Sequence, residues 1–297
     1  MAARTKSLIA VAALGAALVC GANLVGFAQA GGATPAKRIV SLVPALTEML
    51  YAIGAGPKVV AVSSYDDYPP ETAALPRVGA LLDPDVERIL ALRPDLVITY
   101  GSQGTLETQL DRAGIGIFSY RHGGLQTLLA TMTALGQAAG RPDDAARAVR
   151  ELQGRFEAVR ARARGRQRPK VLLVFGRQPQ SLQQLYVSGG AGFLHEMLEI
   201  AGGVNVFADV ARESVQPSKE TLLARAPDVV VELRASDTLS EADVARERRV
   251  WATLTSLPAV RNGRIHILQG KHLVVPGPRV GLAVEALAGA LHPEAFK

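Results

Sequence analysis

The segment Glu87-Arg-Ile-Leu-Ala-Leu-Arg-Pro94-Asp95-Leu-Val97 recurs as Glu220-Thr-Leu-Leu-Ala-Arg-Ala-Pro227-Asp228-Val-Val230, 133 positions later, with Glu, Leu, Ala, Pro, Asp and Val at the same offsets. Each copy reads as a short amphipathic helix that opens on an acid and stops before Pro. An apolar run fit for a buried strand follows. The spacing therefore predicts two similar lobes. Each would carry one exposed Glu in the first turn of an equivalent helix, where a carboxylate suits the positive helix end and its orphan N–H groups. Two matched acids point to a two-point contact.

Around the repeats, strands and helices alternate. In the first lobe Arg38–Val43 reads as a strand, Ala45–Ile53 as a helix ended by Gly54, Val59–Ser63 as a strand, Asp85–Leu92 as a helix, Leu96–Tyr100 as a strand and Leu106–Ala113 as a helix. Such alternation predicts an α/β protein with mainly parallel sheets covered by helices. Between Pro142 and Arg164 the only breaker is Gly154, and apolar residues recur at helical spacing. That is one rigid helix of about 34 Å, a stiff connector between lobes. The second lobe restarts at Lys170–Phe175, and Glu48-Met-Leu-Tyr-Ala-Ile-Gly is echoed by Glu196-Met-Leu-Glu-Ile-Ala-Gly. The expected organisation is a segment 1–30, a lobe 31–141, a backbone helix 142–166 and a lobe 167–297, with a ligand cleft between the lobes.

Residues 1–30 read as an export signal: Arg4 and Lys6, an apolar stretch to Cys20, then Ala28-Gln29-Ala30 as the cleavage site. The expectation is a periplasmic monomer cleaved after Ala30, with lipidation at Cys20 as the alternative. Cys20 is the only cysteine, so cleavage leaves no disulfide and no thiolate metal site. Without Arg4 and Lys6 the net charge falls from +6 to +4, a mild bias that gives no argument for nucleic acid. Arg160, Arg162, Arg164, Arg166 and Arg168 close the connecting helix, where cations complement the dipole.

Parallel sheets take ligands beyond the carboxyl ends of their strands. The candidates there are Tyr65 and Asp66, Tyr100, Tyr120 to His122, Arg177, Arg234, Lys271 and His272. Two facing rims with aromatic walls and cations suit a bulky ligand with an apolar body and polar periphery. Each arginine could instead pair with a nearby carboxylate. Ser188-Gly-Gly-Ala-Gly192 could seat an anion or simply lead into a helix. Asp66-Asp67 reads as a turn cap, with calcium as the alternative. No nucleophile elbow, phosphate loop or His-Glu-x-x-His is present, so an enzyme is not expected.

Four motifs carry a family resemblance running from about Arg38 to the C-terminus. They are Arg38-Ile-Val-Ser-Leu-x-Pro44-x-x-Thr47-Glu48, Val62-Ser-Ser-Tyr65-x-Asp67-Tyr-Pro-Pro70, Leu92-x-Pro-Asp-Leu-Val-Ile98 and Ala201-Gly-Gly-x-Asn205-x-Phe207. The chain resembles the helical-backbone substrate-binding proteins of ABC importers, which carry cobalamin, haem and iron siderophores. The Tyr-x-Asp-Tyr-Pro-Pro stretch is most similar to cobalamin-binding members. The resemblance implies no intrinsic cofactor, a metal chelate as cargo, such as a corrinoid or an iron chelate, and delivery to an ABC permease dimer with its ATPase. It implies that Glu87 and Glu220 dock on the permease and that Tyr65 and Tyr100 stand among the aromatic residues of the cleft. From the loop residues themselves, Tyr65 and Tyr100 are expected to stack on the ligand's flat face and Arg177 and Arg234 to meet its periphery. His272 would approach the metal. Leu81 and Ser214 stand where the best-known cobalamin carriers have tryptophans, and Trp251 is the only tryptophan. Alternatives are a siderophore or haem carrier, a sensor input that touches a receptor, and a periplasmic metal-dependent hydrolase using His122, His272 and Asp66.

Overall fold

The computed structural model describes residues 34–236 and 238–296. The expected export signal, with Cys20 and the expected cleavage site after Ala30, lies outside the described residues. The first sheet uses β1 (Ile39–Ser41), β2 (Val59–Val62), β3 (Leu96–Tyr100) and β4 (Gly116–Tyr120) in the order β2-β1-β3-β4, every pair parallel. Helices α1 (Pro44–Ala52), α2 (Val86–Ala91), α3 (Gly104–Arg112) and α4 (Leu125–Ala138) join and cover these strands.

A 22-residue helix, α5 (Pro142–Ala163), leads to the second sheet. Pro142 sits in its first turn with Asp143 and Asp144, and Arg160 and Arg162 occupy its last, so both ends complement the helix dipole. At 1.5 Å per residue it spans about 33 Å.

The second sheet contains β5 (Lys170–Gly176), β6 (Tyr186–Ser188), β7 (Val204–Asn205), β8 (Ser214–Val215), β9 (Val229–Arg234) and β10 (Ile265–Gln269). Its order is β10-β9-β5-β6-β8, with β7 also on β5. The β10, β9, β5 core is parallel, whereas β6 and β8 run antiparallel, so this lobe is a mixed sheet. Its helices are α6 (Gly192–Ile200), α7 (Lys219–Arg225), α8 (Glu241–Trp251), α9 (Pro258–Arg261) and α10 (Val280–Leu291). The fold is α/β, with two lobes of mainly parallel sheet joined by one long helix. Among the described residues no helix is long and apolar enough to cross a membrane.

The repeated segment performs the same structural work in both lobes. Asp85 and Ser218 cap α2 and α7 by accepting from the N–H of Arg88 and Thr221 at 3.0 and 3.2 Å. Ile89 and Leu222 are buried in the cores of their own lobes. Each helix exits through a left-handed residue just before the repeated Pro, Arg93 at φ 47° and Ala226 at φ 45°. The Asp after that Pro ties down the first strand of its lobe. Asp95 accepts from the N–H groups of Lys37 and Arg38 at 2.8 and 2.9 Å, and Asp228 from that of Lys170 at 2.9 Å. The duplication is thus a repeated capping and clamping device as well as a repeated pattern.

Among the described residues, several polar contacts cross between the lobes. Glu48 on α1 accepts a bidentate pair from Arg279 at 2.8 and 2.7 Å, and that guanidinium lies 3.7 Å above the Tyr68 ring. Asp67 pairs with Lys271. Glu196 on α6 accepts from the Leu125 N–H at 2.7 Å and so caps α4, whose own N-cap, Gly124, has no side chain to offer. A Cβ at Gly124 would come within 2.0 Å of that carboxylate. His122 faces Glu213 at 3.7 Å.

Candidate functional site

The carboxyl ends of β3 and β4 deliver Tyr100 and Tyr120, stacked edge to face at 5.8 Å. Tyr120 meets His122 at 6.5 Å, and His122 meets Phe193 of α6 at 5.6 Å, both near perpendicular. This aromatic chain starts in the first lobe and ends in the second. The Tyr120 hydroxyl lies 3.4 Å from His122 Nδ1, so the other imidazole nitrogen turns toward Glu213. Phe193 and Glu213 were not among the residues picked from the sequence. Their placement follows from α6 opening, and β8 beginning, opposite the first lobe's rim.

Burial first, and then the Tyr100 side chain and Glu213, push the Tyr120 phenol far above its ordinary range. Burial and then Asp66 raise Tyr100 as well. Both phenols are held as neutral, stackable rings with a polar tip. Tyr65, on the loop after β2, is 76% exposed and forms an open apolar flank.

Asp66 is buried beneath that loop. It accepts from the Ser63 N–H at 2.9 Å and the Ser63 hydroxyl at 2.6 Å, while Oδ1 has no hydrogen-bond partner among the described residues. Burial raises its carboxyl above the usual range, against the Ser63 and Thr47 hydrogen bonds and Arg77. Asp66 therefore holds the turn that presents Tyr65.

Both arginines pair with carboxylates, but they differ in exposure. The Arg177 side chain is wholly buried, paired with Glu232 at 3.0 Å and Glu247 at 2.6 Å. Its remaining protons reach the Gln178 and Ser181 carbonyls at 3.2 and 2.9 Å. Every Arg177 N–H has a partner within the protein, which is the carboxylate pairing left open as the alternative to a ligand contact. Arg234 pairs with the same two acids at 2.5 and 2.6 Å but keeps an exposed edge at the rim. Glu232 also accepts from the Trp251 indole at 3.1 Å. The sole tryptophan is therefore a fully buried core residue rather than a cleft wall.

His272 lies in the 3-10 turn Lys271–Val274 after β10, half-buried, with its ring so close to Gly270 that a Cβ there would meet it at 2.5 Å. The Gly-rich stretch pairs with the segment 208–213. The N–H groups of Gly189, Gly190 and Ala191 are taken by the carbonyls of Glu213, Val210 and Arg212 at 3.1, 2.8 and 3.3 Å. Added Cβ atoms at Gly189 and Gly190 would strike this backbone at about 2 Å. The glycines are there for close approach. Among the described residues no three His, Cys, Asp or Glu side chains gather as a metal site. Asp66 answers to Ser63 and His122 to Glu213, so the hydrolase constellation is not assembled.

Glu87 and Glu220 are both exposed, each the second residue of its helix. The Glu220 carboxyl is held below its ordinary value, first by the hydrogen bond to its own backbone N–H and then by the Ser218 hydroxyl. It is a charged group at working pH.

Residues 39–271 match the family model described as periplasmic binding protein. The vitamin B12-binding protein of Salmonella typhimurium is 31% identical over 258 residues, 86% of this chain and 90% of the relative. The periplasmic vitamin B12-binding protein of Vibrio cholerae superposes with a TM-score of 0.73 at 29% identity, covering 89% of this chain and 99% of that one. A periplasmic haem-binding protein from Pseudomonas aeruginosa also gives a TM-score of 0.73, at 28% identity over 88% of this chain and 94% of that one. The four motifs, the two-sheet architecture and these matches agree: the chain belongs to the periplasmic binding protein family.

Proposed function

We propose that this protein captures a metal chelate, most specifically a corrinoid such as cobalamin, between its lobes in the periplasm and passes it to an ABC permease dimer with its ATPase. No bond is made or broken. The observation that carries the reading is the aromatic chain Tyr100–Tyr120–His122–Phe193, which crosses from one lobe to the other where the strand ends face. A corrinoid offers a flat apolar face with amides around it, which suits neutral rings and hydroxyl tips. The named ligand of the curated relatives is vitamin B12, which supports the same choice.

A haem carrier is the second reading, favoured by the haem-binding structural neighbours. Tyr65 and Tyr100 are assigned to the ligand face, Arg234 to its edge and His272 to the approach toward the metal. Glu87 and Glu220 are the docking acids, one per lobe.

Titration with cobalamin, haem and a ferric siderophore, read by ligand absorbance and calorimetry, tests the cargo. Cobalamin is expected to bind one to one and to lose affinity in Tyr100→Ala. Saturable haem binding without cobalamin binding would replace the first reading by the second. For docking, the reversal Glu87→Lys with Glu220→Lys is expected to abolish uptake while ligand affinity stays within about twofold, since rim charges govern partner encounter. Undiminished uptake would refute the docking role.

A further inference from the structure

The two acids do not stand alone. On α2 the residues three and four places after Glu87 are Leu90 and Ala91, and on α7 those after Glu220 are Leu223 and Ala224. All six are exposed, Leu90 at 38% and Leu223 at 40%. Residues three and four apart share a helix face, so each lobe presents one small patch of acid, leucine and alanine. The preceding residues, Ile89 and Leu222, supply the inward anchors. Core packing therefore accounts for the inner leucine-type residue in each copy and leaves the outer one without a partner inside its lobe's core.

A single exposed leucine needs no explanation. Two leucines at matched positions, each beside an exposed acid and a residue with almost no side chain, on helices with matched caps and matched left-handed exits, form a repeated surface module. The acid asks for a cation. The leucine asks for apolar surface, and the alanine lets a partner's backbone approach closely. Because the module occurs once per lobe, the partner must offer two equivalent sites.

We infer that each lobe docks through the whole Glu–Leu–Ala face, Glu87/Leu90/Ala91 and Glu220/Leu223/Ala224, onto a permease surface that presents two equivalent cationic pockets, each bordered by an apolar shelf. This rests on the docking reading above and extends it: the acids steer and orient, while the leucines hold the complex once formed. Charge complementarity governs the on-rate and its salt dependence, whereas desolvated apolar contacts govern lifetime.

The test uses the full chain and the permease–ATPase complex that takes up its ligand, held in lipid nanodiscs, with association and dissociation followed at two or more salt concentrations. Leu90→Ala with Leu223→Ala is compared with Leu90→Met with Leu223→Met, with Glu87→Gln with Glu220→Gln, and with Leu82→Ala. Leu82 is an exposed leucine outside the module and controls for a general loss of apolar surface.

The alanine pair is expected to raise the dissociation rate about fivefold to thirtyfold, the effect of losing two half-exposed leucines from a buried contact. Its salt slope, thermal midpoint and ligand affinity should stay at wild-type values. The methionine pair should restore most of the lifetime, and Leu82→Ala should change nothing. The glutamine pair should slow association and flatten the salt slope.

If the glutamine pair weakens docking while the alanine pair stays within twofold of wild type, the inference fails and docking by the acids alone stands. If neither pair changes docking, the docking reading itself falls. An equal loss in Leu82→Ala would also overturn the inference. So would a wild-type dimer that the alanine pair converts to monomer, because the face would then join two copies of this chain.

Discussion

Replacing Arg177 by Met separates a cleft arginine from a core arginine. The wild-type guanidinium is fully buried between Glu232 and Glu247 and also holds the carbonyls of Gln178 and Ser181. Methionine keeps most of the volume but leaves two buried carboxylates with Arg234 as their only cation. Removing one partner of a buried pair costs about 3–5 kcal/mol, since the survivor keeps its desolvation penalty. Arg234 remains in the cluster, so the lower half of that range is expected. At about 2–4 °C per kcal/mol for a chain of this size, the thermal midpoint should fall by about 6–16 °C. Urea unfolding can be read from Trp251, whose indole donates to Glu232 and so reports on the same cluster. Glu232→Gln should also be destabilising, and the double variant should recover part of the sum, with a coupling of about 1–3 kcal/mol. Ligand affinity, measured well below the midpoint, should move less than about threefold. A stability loss under about 1 kcal/mol joined to a tenfold loss of affinity would refute the structural assignment and return Arg177 to the ligand surface.

Asp66→Asn tests the buried carboxyl. Because its folded value is raised, the folded state keeps its proton to higher pH than the unfolded chain, so Asp66 makes stability fall as pH rises from its unfolded value of 3.8 toward the folded one. The difference curve between variant and wild type should therefore shift in favour of Asn across that window, and parallel curves would count against it. His266 has the opposite linkage. Burial lowers its folded value and leaves Nε2 without a hydrogen-bond partner among the described residues, so stability is present above 6.5 and is lost as pH falls below it. His266→Gln should flatten that acid limb in urea titrations across the range, and an unchanged limb would assign it elsewhere. Ala226→Gly relieves a left-handed alanine at φ 45° but adds freedom to the unfolded chain, so a net gain of about 0–1 kcal/mol is expected, and a loss beyond about 1 kcal/mol would contradict it.

What the sequence shows and what it hides divides by distance along the chain. Helices α2 and α7 are legible because their signals are local: a cap, an acid, a buried residue and a stop within eleven positions. The same holds for α5, whose Pro-Asp-Asp start and arginine-rich end bracket an uninterrupted apolar period. Helix α4 carries no such start. Its cap is Glu196, which reaches it from the other lobe, and no local reading could supply that residue. Strands β6 and β8, of three and two residues, are too short to show a period, so the antiparallel flank of the second sheet stays hidden. The partners of Arg177 are hidden for the same reason. Whether Arg177 faces cargo or carboxylate depends on Glu232 and Glu247, 55 and 70 positions away on β9 and α8. The chemistry of the candidate site is legible as residue types, whereas its partnerships are tertiary.

Those tertiary partnerships bear on how the protein moves. Among the described residues the contacts between lobes include the His122–Phe193 ring contact and four polar ones: Glu48 with Arg279, Asp67 with Lys271, Glu196 with the start of α4, and His122 with Glu213. The pairs differ in cost of opening. His122–Glu213 and Asp67–Lys271 are solvent-exposed at both partners, and such pairs contribute about 0–1 kcal/mol. Glu48 is buried, its carboxylate is satisfied twice by one guanidinium, and that guanidinium is stacked on Tyr68. Separating this pair would strand a buried charge, so it is the costliest of these contacts to break. The exposed pairs can break and reform at less cost. The weakly held His122–Glu213 pair lies along the aromatic chain that joins the lobes. Under the proposed function, a ligand seated between the lobes would displace these hydrated ion pairs at little cost while the Glu48–Arg279 pair stays closed.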